Sequence, residues 1–158
     1  MSNSPIARLE RMAVLASPVT HGAPTTSFED ITGLALPMVV NTLYQFEGYV
    51  LYQVNATNRN IALAVNGPAS PGFVIIRTDI PTSLTGVTSG MQRAYDTGVA
   101  ATAADAANSN LLAKCSGFVL NGATPGNLVL RFLCNNSAGT PIVQAGSTLR
   151  MWRVSPSN

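Results

Sequence analysis

The chain reads as all-β: a jelly-roll-like antiparallel β-sandwich of about eight strands, preceded by an extended N-terminal arm. Three observations predict it. From Ile31 onward, apolar residues alternate with polar or small ones over short runs. Those runs are separated by clusters of Gly, Pro and Asn, which supply turn geometry. No pattern of helical period is sustained. At 158 residues the chain suits one domain with a full core and is too short for two comfortable ones. We divide it into an arm, 1–28, and a sandwich, 29–158.

The arm, "SPIARLERMAVLASPVTHGAPTTSF", holds prolines, small polar residues and one short amphipathic patch. Such a segment is too short for a stable helix. It reads either as an extension that orders by lying on something else or as a frayed terminus. The first strand signal is "LYQFEGYVLYQV", 43–54, with Tyr44, Phe46, Val50, Tyr52 and Val54 on one face. Gln45, Glu47, Tyr49 and Gln53 fall on the other. "NIALAVN" then turns Ile61, Leu63 and Val65 inward, "NGPASPG" is a turn, and "FVIIRTDI" is the next strand. Residues 81–110 are irregular, with a short strand expected around Met91–Tyr95 and a helical turn in "GVAATAADAAN". "LLAKCSGFVLN" and "NLVLRFLCN" are read as a hairpin around "NGATPGN", and "STLRMWRV" closes the domain. Cys115 and Cys134 would face each other across that hairpin. Small core hydrophobes are the preferred reading, because adjacent strands seldom offer disulfide geometry.

Composition narrows the function. Hydrophobic residues make up 46% of the chain but charged residues only 10%, against about 25% in an ordinary soluble domain. So few charges suit a protein that lives packed in an assembly rather than alone. The nine basic residues, eight Arg and Lys114, are scattered, so no nucleic-acid footprint is expected. The longest apolar run, "LALPMVV", is interrupted by Pro37 and far short of the ~20 residues a bilayer span needs. We expect no membrane association and no secretory signal.

Catalysis finds little footing. His21, the only histidine, sits in the Pro-rich arm and reads as a solvated side chain rather than a rigidly placed base. The seven carboxylates form no recognisable pair for glycoside chemistry. "DTG" at 96–98 lacks the flanks of a catalytic motif, so Asp96 is read as an Asx-turn residue bonding backbone amides. We expect no enzyme activity, no metal and no cofactor. Tyr49 faces away from the core side of its strand, and Trp152 lies between Arg150 and Arg153. These four residues read as a subunit interface or a ligand platform, because aromatic and Arg residues are enriched at interfaces.

The order "TGLALP", "LYQFEGYVLYQ", "IALAVNGPASPGFVIIRTDIP", "AYDTG", "FVLNGATPGNLVLRF", "QAGSTLRMWRV" resembles the jelly-roll modules of tailed-bacteriophage virion proteins. The resemblance runs from about Ile31 to Val154 and carries no catalytic signature. It implies a structural role on a virion and association as a homotrimer. Within that group, fibre and tail modules usually hang from a longer stalk. One module with a short arm is more similar to a capsid decoration (cement) protein, bound to the major capsid protein at the capsid surface after synthesis in the host cytoplasm. For that role the expected arm contacts are Ile6, Leu9 and Met12 through apolar packing, with Arg8 and Arg11 pairing to capsid carboxylates. A receptor- or glycan-binding tail or head-fibre module is the alternative.

Overall fold

The computed structural model describes residues 10–22 and 27–154. Among them are twelve strands and no helix: β1 (Glu10–Val14), β2 (Val19–Thr20), β3 (Glu29–Met38), β4 (Leu43–Gln53), β5 (Ile61–Asn66), β6 (Phe73–Pro81), β7 (Val87–Gln92), β8 (Val99–Ala100), β9 (Leu111–Leu120), β10 (Gly126–Cys134), β11 (Ile142–Val143) and β12 (Thr148–Arg153). They form two antiparallel sheets. The larger runs β1-β12-β4-β9-β6-β7, with β11 beside β4 and β2 beside β11; the smaller runs β3-β10-β5-β8.

The eight strands β3 to β10 are wound as a jelly roll. β3 and β5 both pair with β10 in one sheet, while β4 and β6 both pair with β9 in the other. β8 and β7 then extend the two sheets on β5 and β6. The expected β-sandwich is therefore what forms. The expected hairpin is not. β9 and β10 lie in different sheets, and residues 121–125 turn the corner between them. The buried Asn121 fixes that corner, its Nδ2–H₂ donating to the Val39 and Thr124 carbonyls at 3.0 and 3.1 Å. Cys115 and Cys134 thus face the core as separate free thiols, both fully buried.

The inward alternation of β4 holds as read: Tyr44, Phe46, Val50 and Tyr52 are buried. They meet Ile31, Leu34, Leu63, Leu128, Leu130 and Phe132 of the opposite sheet in one core. Gly48 belongs to the same face, where a Cβ would lie 2.7 Å from Leu130 Cδ1, so the facing sheet leaves no room for a side chain. In β3, residues 31–34 oppose Leu130 alone, between the Asp30↔Arg131 and Ala35↔Val129 pairs. Gly33 adopts φ +106° within this bulge, a conformation that side chains resist.

Residues 81–110 hold no helical turn. Their strands are β7, which ends at Gln92 rather than near Tyr95, and the two-residue β8. Buried Gln92 ties β7 into the fold: with its amide turned to suit, it donates to the Ile76 carbonyl and accepts from Val99 N–H.

The N-terminal segment also departs from expectation. β1 pairs with β12 as the outermost strand of the larger sheet, and β2 pairs with β11. Leu15 is buried in the core. His21, read as solvated, is 1% exposed; its ring stands edge-on to Phe132 at 5.3 Å, and Nε2–H donates to the Ser27 carbonyl at 3.0 Å. Flanking prolines made this segment look unstructured, but the backbone of residues 10–22 extends a sheet that already existed.

Candidate interaction face

Period-2 alternation sends every second residue of the larger sheet away from the core, and the cross-strand registers arrange those residues in rows. One row is Leu43, Leu120 and Phe73; the next is Glu10, Trp152, Gln45, Phe118 and Ile75. Below them lie Met12, Arg150, Glu47, Ser116, Arg77 and Met91, and then Val14, Thr148, Tyr49, Lys114, Asp79 and Ser89. One end of this outer face is therefore apolar and its middle is charged.

The exposed apolar side chains concentrate here. Of eleven large hydrophobic residues exposed among the described residues, nine lie on strands of the larger sheet. None lies on the smaller sheet. Phe118 is 39% exposed, with Ile75 and Phe73 each at 41%. An aromatic side chain in this state leaves roughly 60–100 Å² in water, so covering it is worth about 2 kcal/mol. Beside them a cavity of about 500 Å³ is lined by Pro71, Phe73, Ile75, Arg93 and Tyr95. It opens where β7 ends, because β6 pairs with β7 only from Ile76 onward.

The charges in the middle of the face hold one another. Lys114 Nζ lies 2.6 Å from Glu47 Oε1. That bond holds the Glu47 carboxyl below its ordinary range and the Lys114 ammonium above its own. Tyr49 donates from its hydroxyl to Glu47 at 3.1 Å, and the Lys114 ammonium sits 5.3 Å from the Tyr49 ring centroid. Asp79 accepts from the Ser89 hydroxyl, which lowers its carboxyl furthest, and from Arg77 Nε at 2.9 Å. Arg150 Nε donates to Glu10 at 2.7 Å.

Of the residues expected at an interface, Tyr49, Arg150 and Trp152 share this face, whereas Arg153 points the opposite way from Trp152 along β12. Trp152 is half-buried, its indole N–H donating to Gln45 at 3.1 Å. With Glu10, Glu47 and Arg150 it lines a depression of about 150 Å³. Among the expected arm contacts, Ile6, Arg8 and Leu9 lie outside the described residues. Arg11 is tied to its own chain, Nη1 donating to the Pro37 carbonyl at 2.8 Å. Met12, 57% exposed, joins the outer face.

The outer face of the smaller sheet is organised by Arg131. Its Nε lies 2.8 Å from Asp30, Nη1 pairs with Asp96, and Nη2 donates to the Phe28 carbonyl at 2.7 Å. Asp96 does occupy a turn, at φ +54°, but its carboxylate pairs with Arg131 rather than capping amides as an Asx turn would. A single-sequence reading could not place Asp96 opposite residue 131, because the pairing depends on sheet order. The patch of Phe73, Ile75 and Phe118 also went unread. In "LLAKCSGFVL" both faces of the alternation carry apolar residues, so the pattern does not say which one is outward.

No known protein-family profile matches this chain, and no curated protein does. Among solved structures, a chain described as "Structure of infectious bursal disease virus Gt strain" is similar at 8% identity with a TM-score of 0.31. The alignment covers 99% of this chain, which spans only 40% of that one. That likeness is too slight to assign an activity or a partner.

Proposed function

We propose that this protein is a non-enzymatic virion structural protein, a capsid decoration protein that associates as a homotrimer and binds the major capsid protein. The observation that carries this reading is the lopsided surface: exposed apolar side chains gather on one outer face of a jelly roll in which only 10% of residues are charged. Such a face loses free energy in water and gains it when covered. Many copies of a modest contact then add through multivalency on a shell.

The state of the carboxylates supports a role without catalysis. All seven are engaged structurally. Glu10, Glu47 and Asp79 pair on the larger sheet, and Asp30 and Asp96 pair with Arg131. Glu29 accepts from Gly22 N–H at 3.0 Å, and Asp105 accepts from Leu84 N–H at 3.2 Å.

The test is the mass of the purified protein in solution, followed by co-sedimentation with empty shells. Deletion of the arm has to stop at residue 9, because residues 10–22 are part of the sheets and core. A trimer that sediments with shells supports the reading. A trimer that ignores shells shifts it to the alternative, a receptor- or glycan-binding module. That second reading draws on the 500 Å³ cavity with Phe73, Tyr95 and Arg93 at its wall, and it requires measurable glycan binding.

A further inference from the structure

We infer that the apolar end of the larger sheet's outer face, centred on Phe118, is where copies of this chain meet, close to a common threefold axis. The inference rests on the homotrimer reading and goes beyond it by naming the surface. Residues near a symmetry axis meet their own equivalents from the other copies. A face placed there is juxtaposed with itself, so any unpaired charge meets its own kind.

This face is suited to that. Beside Phe118 and toward one end of the sheet the outward residues are Gln45, Ile75, Leu120, Leu43 and Phe73, none of them ionisable; on its other side lie Ser116, Glu47 and Arg77. The charges on this face nearest to it are three acids and three bases already paired within the chain: Glu10, three strands away along Phe118's own row, with Arg150, and in the rows below Glu47 with Lys114 and Asp79 with Arg77. Trimerisation therefore brings no unbalanced charge together at the centre.

Arg93, exposed at the cavity wall beside Ile75, is the excess charge on this side. It follows β7, two strands from Phe118, or about 10 Å at ordinary strand spacing. With Phe118 on the axis, three such arginines stand about 17 Å apart, beyond the ~8 Å Debye length at physiological salt. The same arrangement centred on Arg131 of the smaller sheet would place Asp30, Asp96 and Arg131 against their own copies, with no apolar area to gain.

The experiment uses the full chain carrying Phe118→Cys, treated with a short bismaleimide and resolved on a denaturing gel. Cys115 and Cys134 are fully buried and do not compete. Ile75→Cys serves as a second variant, and Thr32→Cys marks the exposed smaller sheet. Circular dichroism confirms the fold of each. The expected result is a trimeric wild type, cross-linked dimers and trimers at positions 118 and 75, and none at 32. A trimeric wild type that cross-links at 32 but not at 118 or 75 overturns this inference and leaves the homotrimer reading intact. A wild type that is monomeric overturns both.

Discussion

The two outer faces of the sandwich are built on one core yet prepared for different surroundings. On the smaller sheet, Ala62 and Ala64 are buried though they point outward, and Arg131, opposite Ala64, ties Asp30, Asp96 and the Phe28 carbonyl together. That face is finished by its own chain. On the larger sheet, salt bridges finish the middle, but Phe73, Ile75 and Phe118 remain open at one end. The difference teaches that low overall charge is not spread evenly. It concentrates an unsatisfied surface in one place and leaves the other self-contained.

Removing what the faces share has the largest effect. Phe132→Ala empties a fully buried ring between the sheets and deprives His21 of its edge contact, so unfolding stability falls by about 3–5 kcal/mol. Urea denaturation measures it. Both faces are lost together, because neither sheet is stable without the core.

Acid acts next, and on one face. Glu47 and Asp79 titrate below their ordinary values of 4.5 and 3.8, so their contribution is full above those values and is lost as pH falls through the depressed ones. Protonation leaves Lys114 and Arg77 uncompensated on the larger sheet. Copies held through that face then separate as pH falls below the ordinary carboxylate range, while far-UV circular dichroism still reports strand. Sedimentation velocity at neutral and acid pH follows the change.

A smaller effect separates the faces in the other direction. Arg131→Met loosens the smaller sheet's surface, at about 1 kcal/mol once solvent screening at the two exposed carboxylates is discounted. The expected shift is in the urea midpoint, with assembly state unchanged. Smallest of all is thiol chemistry: burial pushes the Cys115 thiol up to about 12, so neutral-pH alkylation of the native protein at either cysteine is expected to be negligible.

Much of this fold was legible in the sequence, for local reasons. The alternation of 43–54 shows its buried face, and "NGPASPG" marks a turn whatever the topology. What escaped depends on long-range pairing. A short connection between two β runs reads as a hairpin, yet β9 and β10 diverge because β4 and β6 claim the edges of β9 while β3 and β5 claim those of β10. His21 looked solvated because nothing near it in sequence covers it; Phe132 does, from 111 residues away. The outward aromatic Phe118 was hidden because apolar residues occupy both faces of its strand. Tyr49, Arg150 and Trp152 share one surface in the fold while Arg153 points the other way, and the apolar end of that surface is formed mainly by the neighbouring strands.

The most direct measurement is the solution mass of three proteins at one concentration: wild type, Phe118→Arg on the larger sheet and Asn127→Arg on the exposed side of β10. Both side chains point away from the core, and circular dichroism verifies that each variant is folded. The account predicts a trimer for wild type and Asn127→Arg, and a monomer for Phe118→Arg. A Phe118→Arg protein that remains trimeric while Asn127→Arg falls apart would contradict it.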